Sequence, residues 1–196
     1  MTARLFVNET FYSLQGEGFW TGTPAFFIRL SGCNLRCAFC DTHHAEGTWR
    51  AISDLAAEAA AYPARHVVLT GGEPTLQPTE ALIAALHEKG KYVAIETNGT
   101  HPLPHGLDWV TLSPKDDFEP KAAPLLTVCD ELKLVFRSSD TFNPHTHISA
   151  KHHFLQPCDV GNAQQNRLIL AAAIDYCKAH PLWRLSLQTH KLCEIP

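Results

Sequence analysis

The sequence lacks the features of a membrane protein and of a nucleic-acid-binding protein. No apolar run approaches the roughly 20 residues that a transmembrane helix needs, and the first residues, Met1 to Arg4, carry no signal-peptide pattern. The formal net charge of −4 leaves no basic excess for binding a phosphate backbone. We therefore expect a cytoplasmic protein without a membrane or nucleic-acid partner.

The chain also lacks the even set of cysteines that a disulfide framework requires. It has seven cysteines, and three of them fall within eight residues, at Cys33, Cys37 and Cys40. The odd number and the crowding both indicate reduced thiols. A length of 196 residues suits one domain with a sizeable core, so we predict a single domain over residues 1–196.

The three crowded cysteines are an incomplete metal site, because no fourth cysteine stands nearby. Thiolates select zinc or iron–sulfur clusters. A structural zinc site is closed by four ligands, whereas a four-iron cluster held by three thiolates keeps one iron free to bind a ligand. Two other interpretations stay open at this point. One is a zinc site completed by His43 or His44, and the other is three packed thiols without metal.

Short apolar strands alternate with helical stretches along the chain, a pattern typical of parallel β/α units. Strands are predicted at 24–30, 66–70, 92–96, 108–112, 131–136, 153–156 and 183–188, and helices at 52–62, 78–89 and 162–180. A full eightfold barrel typically needs about 250 residues. We therefore predict an α/β fold with a partial, truncated (β/α) barrel.

Polar or glycine-rich segments follow five of the predicted strands. They begin at Cys33, Thr70, Glu96, Ser113 and Gln156. Each segment alone could be an ordinary turn or loop. In a barrel of parallel strands, however, active-site loops lie at the carboxyl ends of the strands. Their shared position therefore predicts that the five segments converge on one mouth.

Two of these segments carry a resemblance to a known family. Cys33-x3-Cys37-x2-Cys40, with an aromatic residue at Phe39, and Gly71-Gly72-Glu73-Pro74 after a strand resemble the radical S-adenosylmethionine superfamily. The resemblance implies that the three cysteines hold a [4Fe–4S] cluster whose open iron chelates S-adenosylmethionine, in a partial barrel of the radical S-adenosylmethionine type. It assigns the binding of S-adenosylmethionine to Phe39, Gly72, Ser113, Lys115, Gln156 and Asp159.

Within that superfamily, further segments are similar to the 7-carboxy-7-deazaguanine synthase family. They are Phe11 to Gly18, Asp41-Thr42, Ser113-Pro114-Lys115 and Gln188 to Lys191. The resemblance implies a lyase that contracts the ring of 6-carboxy-5,6,7,8-tetrahydropterin to give 7-carboxy-7-deazaguanine, with loss of ammonia, in the biosynthesis of 7-deazapurines such as queuosine. No side chain is singled out as the general base.

The same resemblance assigns roles at the substrate. It places substrate contacts at Leu14, Gln15, Gly16, Arg29, Thr70, His190 and Pro196, and a magnesium ligand at Thr42. A guanidinium can donate two parallel hydrogen bonds to a carboxylate, and magnesium prefers oxygen ligands. Simpler interpretations remain: Arg29 as a surface residue, Thr42 as a turn cap and His190 as a core histidine.

The expected partners are a flavodoxin or ferredoxin as electron donor and a second copy of the chain, since dimerisation would cover an open edge of a short barrel. Four histidines, His145, His147, His152 and His153, are interpreted as solvated rather than as a second metal site. Two rival functions stay open: an activase that makes a glycyl radical on a partner protein, and a non-catalytic zinc module.

Overall fold

The computed structural model describes residues 3–140 and 142–196. Nine strands are present in these residues: β1 (Arg4–Leu14), β2 (Pro24–Leu30), β3 (Thr48–Ala51), β4 (His66–Gly71), β5 (Tyr92–Thr97), β6 (Trp109–Leu112), β7 (Val128–Phe136), β8 (Ser149–Pro157) and β9 (Trp183–Leu185). The helices are α1 (Ile52–Ala60), α2 (Glu80–Glu88), α3 (Ala163–Ala179) and α4 (Thr189–Cys193), with a single 3-10 turn at Pro74–Leu76.

All nine strands belong to one sheet, in the order β3-β1-β2-β4-β5-β6-β7-β8-β9. Every neighbouring pair from β2 to β9 is parallel, whereas β1 runs antiparallel to both β2 and β3. The order is linear, so the sheet does not close on itself. This confirms the predicted α/β fold with a partial barrel.

The predicted strands and long helices are present, with ends shifted by a few residues. The strand at 24–30 has the predicted bounds, and Asn162 caps α3 by accepting hydrogen bonds from the amides of Gln164 and Gln165. The sequence prediction missed β1, β3 and α4. Strand β1 carries polar side chains along much of its length and is mostly half-exposed, so its apolar alternation is weak.

Helices cover only part of the sheet. Loops rather than helices join β5 to β6, β6 to β7 and β7 to β8. Side chains from these connections, including Leu103, Leu107 and Leu126, pack against the core in place of helices. The chain thereby covers its hydrophobic core with fewer residues than a full barrel uses.

The two faces of the sheet have different roles because side chains alternate along a strand. On β2, Phe26, Ile28 and Leu30 join the main core under the helices. Phe27 belongs to a second, smaller cluster on the opposite face, which we call the inner face. Arg29 lies on the inner face as well, because it is two residues after Phe27 on the same strand.

The loop between β1 and β2 folds across the amino-terminal part of the inner face. The Phe19 ring lies 5.0 Å from the Trp109 ring and 4.3 Å from His152, and Trp20 lies 4.9 Å from His66. His152 is therefore half-buried in an aromatic cluster on β8, and His145 is only 2% exposed, so the interpretation of these two histidines as solvated loop residues is wrong. The aromatic cluster leaves the carboxyl-terminal end of the inner face open. No helix among the described residues has the length and apolarity to span a membrane.

Candidate active site

A cleft of about 810 Å³ opens at the carboxyl ends of the strands. The structure brings all the site residues predicted from the sequence to this one cleft. They are Leu14, Gln15, Gly16, Arg29, Cys33, Cys37, Phe39, Cys40, Thr42, Thr70, Gly72, Ser113, Lys115, Gln156, Asp159, His190 and Pro196. The strand register explains part of this convergence, since Arg29 on β2 is directly beside Thr70 on β4.

The cysteine loop follows β2 and leaves its thiols accessible to the cleft. Cys33 and Cys37 are half-buried and Cys40 is exposed. Burial raises the pKa of both Cys33 and Cys37, and the nearby Lys115 ammonium opposes that rise at Cys37. Binding to iron would favour the thiolate form and overcome this burial cost.

The three thiols of the cysteine loop all line the cleft, and no fourth cysteine lies in this loop. The donors are thiolates, which suit iron–sulfur chemistry. The residues present therefore fit a multi-iron cluster.

The glycine pair after β4 lies against the start of the cysteine loop. The Gly72 amide donates to the Leu30 carbonyl at 3.0 Å, and the Glu73 amide donates to the Gly32 carbonyl at 2.8 Å. A Cβ atom at Gly72 would overlap the Gly32 carbonyl oxygen. Only glycine permits this approach of two backbones, so the strand end and the cysteine loop have a fixed separation.

A buried glutamate ties the glycine pair to the next strand end. Glu73 is 1% exposed, and its carboxylate accepts hydrogen bonds from Thr97 Oγ1 at 2.7 Å and from the Asn98 amide at 2.8 Å. The Asn98 side chain in turn donates to Asn34 Oδ1 in the cysteine loop at 3.0 Å. The Glu73 side chain thus has a structural role, which orients two of the segments predicted to form the mouth.

Arg29 and Thr42 are in direct contact at the opposite side of the cysteine loop. Arg29 Nη1 donates to Thr42 Oγ1 at 3.2 Å, and its Nε donates to the Glu9 carboxylate at 2.8 Å. The Arg29 side chain is 24% exposed, while that of Glu9 is 54% exposed. Because Glu9 is exposed, the Arg29 guanidinium can exchange this partner for the carboxylate of a ligand.

Beyond Arg29, the inner face holds a buried set of charges. Lys133 Nζ donates to Glu17 at 2.6 Å and to Glu96 at 2.9 Å, although the lysine side chain is only 4% exposed. Burial alone would raise the pKa of Glu17, but the Lys133 ammonium lowers it to about 2. The two carboxylates raise the pKa of Lys133 despite its burial. Glu17 and Lys133 are therefore both ionised at neutral pH.

A second buried carboxylate, Glu131, has a different state. It is 2% exposed, accepts a hydrogen bond from the Phe19 amide at 3.1 Å, and its Oε1 atom has no hydrogen-bond partner. Burial raises its pKa to about 7, because the favourable charge of Lys133 does not compensate fully for the loss of water. Glu131 is therefore half-protonated near neutral pH.

The segment after β6 supplies a cation to the same cleft. Lys115 Nζ donates to the backbone carbonyl and to the hydroxyl of Ser113, both at 2.6 Å. Burial lowers the pKa of Lys115 to about 8, and Lys133 adds to that effect. The aromatic residue of the cysteine motif, Phe39, lies 4.6 Å from Phe118 in the same connection, as measured between ring centroids.

Helix α4 and the residues after it cover one side of the cleft. Thr189 donates to the Gly16 carbonyl through both its amide and its hydroxyl, each at 2.9 Å. A Cβ atom at Gly16 would overlap the His190 ring, so this glycine permits the contact. Lys191 bridges two carboxylates, at 3.0 Å from Asp41 and 3.2 Å from Asp159.

The Gln156 side chain faces the protein interior. Its amide donates to Glu17 at 3.0 Å, and its carbonyl accepts from Ser186 at 3.0 Å. The segment that it begins continues to Asp159 at the other end of the cleft. Gln156 therefore stabilises the charged set around Glu17 through its side chain.

Sequence reasoning gave no role to Glu17, Glu96, Glu131 or Lys133. Glu17 and Glu96 lie in segments that the sequence pattern had already assigned to the site, so both could have been proposed as site residues. Glu131 and Lys133 alternate with Leu132 and Leu134 on β7, which is the period of one polar and one apolar strand face. Such a pattern normally marks a solvent face. Here Lys133 lines the cleft and Glu131 contacts the loop between β1 and β2, and tertiary structure buries both.

The comparisons with known proteins agree with this site. Residues 27–119 match the Radical SAM superfamily. The chain is 52% identical to a 7-carboxy-7-deazaguanine synthase of Bacteroides thetaiotaomicron over 96% of this chain and 97% of that protein. It is 44% identical to the 7-carboxy-7-deazaguanine synthase of Bordetella pertussis over 97% of this chain and 98% of that protein.

A solved structure has a similar fold. The crystal structure of QueE from Escherichia coli superposes with a TM-score of 0.74, at 30% identity over 94% of this chain and 93% of that one. The similarity therefore covers the sheet, the cleft and the cysteine loop together. This chain belongs to the 7-carboxy-7-deazaguanine synthase family of the radical S-adenosylmethionine superfamily.

Proposed function

We propose that this chain is a lyase that converts 6-carboxy-5,6,7,8-tetrahydropterin to 7-carboxy-7-deazaguanine with loss of ammonia, in 7-deazapurine (queuosine) biosynthesis. Its family membership supports the activity. The observation that carries the proposal is that Arg29 and the cysteine loop face the same cleft, with the charged set of Glu17, Glu96 and Lys133 beside them. A cluster site and a carboxylate site thus share one space.

Cys33, Cys37 and Cys40 would hold the [4Fe–4S] cluster of the family. When bound, the cluster and S-adenosylmethionine supply the 5′-deoxyadenosyl radical that takes a hydrogen atom from C6 of the pterin. S-adenosylmethionine would contact Phe39, Gly72, Ser113, Lys115, Gln156 and Asp159. The Glu73 network holds the glycine pair at the cysteine loop, so the amine of S-adenosylmethionine meets a rigid strand end.

Arg29 would bind the substrate carboxylate in exchange for Glu9. Thr42 already touches Arg29, so its hydroxyl is positioned to complete a magnesium site beside that carboxylate. In such a site the ion orients the substrate. The remaining substrate contacts would come from Leu14, Gln15, Gly16, Thr70, His190 and Pro196, all of which line the cleft.

The carboxylates of Glu17 and Glu96 are acceptors for the N–H groups of the pterin ring. Because Lys133 lowers the pKa of Glu17 to about 2, this carboxylate stays ionised, can accept a hydrogen bond and is a weak base. It therefore orients the ring and does not remove a proton.

The wider setting is proposed on the same basis. A flavodoxin or ferredoxin would supply the electron, and a second copy of the chain would cover an open edge of the sheet. We place the enzyme in the cytoplasm and treat residues 1–196 as one domain, which the single nine-stranded sheet supports.

An anaerobic product assay tests the activity. The reduced, iron-loaded protein is incubated with the carboxypterin and S-adenosylmethionine, with and without Mg²⁺, and the purine product is measured. We expect product in both cases and more with Mg²⁺. Absence of product with a competent reductant would overturn the proposal, whereas an unchanged rate with Mg²⁺ would overturn only the role of Thr42.

Two further measurements separate the rival functions. An activase would generate a glycyl radical on a partner protein, but it has no need of a carboxylate clamp such as Arg29. A zinc module would contain one zinc ion per chain, whereas the proposed enzyme contains about four iron atoms. Substitution Cys40→Ala should abolish the visible absorption of the cluster, and full absorption would exclude Cys40 as a ligand.

A further inference from the structure

A second group of potential metal ligands lies outside the cleft. The side chains of Asp116, Asp117 and His145 place one ligand atom each within 4.8 Å of the others. The two aspartates directly follow Lys115 in the connection after β6, and the histidine comes from the loop between β7 and β8. None of the three lines the cleft, so the group is independent of the proposed reaction.

The histidine of this group is buried and incompletely partnered. His145 is 2% exposed, and its Nδ1 atom has no hydrogen-bond partner. Its other ring nitrogen, Nε2, lies 3.3 Å from Asp116 Oδ1, which is itself buried and without a hydrogen-bond partner. His145 Nδ1 and Asp116 Oδ1 are thus buried polar atoms without a hydrogen-bond partner, and Oδ1 faces the second ring nitrogen, Nε2. A buried polar atom without a hydrogen bond is unfavourable, so a ligand shared by Nε2 and Oδ1 would stabilise this pair of loops.

The separation fits ligands of one ion. Ligand atoms bound at about 2.1 Å to a tetrahedral zinc ion lie about 3.4 Å apart, close to the separation of His145 Nε2 and Asp116 Oδ1. The ligand atom of Asp117 lies within 4.8 Å of the other two, so one ion can contact all three side chains.

We propose that Asp116, Asp117 and His145 form a binding site for a divalent transition-metal ion, zinc by preference, separate from the cysteine loop. An imidazole nitrogen with two carboxylate oxygens is a mixed donor set that zinc accepts, whereas magnesium takes oxygen ligands. Three protein ligands leave a fourth position, which water or the exposed His147 fills; the His147 ring lies 5.7 Å from that of His145.

The ion would fasten two connections of the helix-poor half of the sheet. One contains Asp116 and Asp117 and begins with Ser113 and Lys115, and the other contains His145. A metal held by both loops restricts the movement of the segment that carries Lys115. The ion would therefore stabilise the structure and take no part in the reaction. It would affect the cleft because its ligand Asp116 is bonded directly to Lys115, which lines the cleft.

Zinc binding to the iron-loaded protein tests this inference. Zinc is titrated under anaerobic conditions against a chromophoric chelator, and the zinc X-ray absorption spectrum is recorded on the loaded sample. We expect one equivalent of zinc per chain with a first shell of oxygen and nitrogen near about 2.0 Å. A shell of sulfur near about 2.3 Å would show that cysteines bind the ion and would overturn the proposal.

Matched substitutions localise the ion. Asp116→Asn and His145→Gln preserve the shape of each side chain and should weaken zinc binding at least about tenfold. Asp175→Asn and His105→Gln, both at exposed positions, should leave zinc binding unchanged. Equal zinc affinity in all four variants, or no zinc uptake by the parent protein, would overturn the site. Circular dichroism of each variant verifies folding. Amide hydrogen exchange should slow around His145 on zinc addition in the parent protein and in the two control variants, but not in Asp116→Asn or His145→Gln.

Discussion

Lys133 Nζ donates a 2.6 Å hydrogen bond to the Glu17 carboxylate from a side chain that is only 4% exposed. The two residues are far apart in the sequence and come from opposite parts of the sheet. Their ion pair joins the loop after β1 to strand β7. Between the aromatic cluster and the cleft, the inner face therefore contains an ion pair that links distant parts of the sheet.

Replacement of this lysine should destabilise the fold strongly. Lys133→Met removes the buried cation that directly contacts Glu17 and Glu96, whose side chains are only 15% and 24% exposed, and should cost about 3–5 kcal/mol of unfolding free energy. Urea denaturation measures the effect. Lys151→Met is the control, because Lys151 also pairs at 2.6 Å, with Asp130, but is 72% exposed. We expect less than about 1 kcal/mol there, and equal losses in the two variants would contradict the argument.

Glu131 should make stability fall as pH rises. Its pKa is raised from 4.5 to about 7 in the folded chain, so the folded state holds a proton that the unfolded state has lost in this window. The unfolding free energy therefore decreases between these two pH values. Glutamine does not titrate, so Glu131→Gln does not lose stability in this way. The unfolding free energy of the variant minus that of the parent should increase by about 3 kcal/mol from the lower to the higher pH.

Urea denaturation of both proteins at the two ends of this pH window measures the difference between their unfolding free energies. Both proteins hold the cluster, so its contribution cancels in the difference. A constant difference between the two proteins would show that Glu131 does not titrate there.

Arg29→Lys should affect the carboxylated substrate selectively. A lysine keeps the charge but cannot donate two parallel hydrogen bonds, and it loses the contact with Thr42. We expect kcat/KM for the carboxypterin to fall about 10- to 100-fold, with unchanged binding of S-adenosylmethionine.

The matched control for Arg29 is Arg50→Lys. Arg50 pairs with Glu58 at 2.7 Å and lies outside the cleft, so we expect its kcat/KM to stay within about twofold of the parent value. Equal effects of the two substitutions, or weakened binding of S-adenosylmethionine in Arg29→Lys, would argue against a carboxylate clamp.

Gly16→Ala should displace the carboxyl-terminal segment. The new methyl group overlaps the His190 ring, so helix α4 must move away from the cleft. We expect a raised KM for the carboxypterin and faster amide exchange from Thr189 onward. Gly22→Ala is the control: its φ of +83° strains an alanine, but nothing lies within 4 Å of the added atom. Both variants lose stability, and only Gly16→Ala should expose the segment.

Local patterns in the sequence predicted the parallel strands and the cysteine loop. The strand at 24–30 is a continuous apolar run, and the cysteines have a spacing that a cluster requires. Strands β1 and β3 escaped prediction because polar and apolar side chains do not alternate regularly along them and most positions are half-exposed or exposed. These strands depend on their neighbours, since β1 pairs with β2 and β3 pairs with β1, and such pairing is a property of the assembled sheet.

The misjudged residues are polar groups that tertiary structure buries. Lys133 lies on a strand face that resembles a solvent face, and His145 stands in a polar loop that resembles an exposed one. Both are almost fully buried. Burial of a charged or polar side chain depends on which distant residue covers it, and a sequence window does not contain that residue.

Lys191 has a consequence for the turnover of the enzyme. It joins helix α4 to Asp41 beside the cysteine loop and to Asp159 after β8, and it is 37% exposed. Each such exposed pair contributes at most about 1 kcal/mol, so the two together are broken frequently at ambient temperature. Salt weakens these two pairs while the Thr189–Gly16 hydrogen bonds remain, so we expect the end of the carboxyl-terminal segment to loosen and product to leave faster as ionic strength increases.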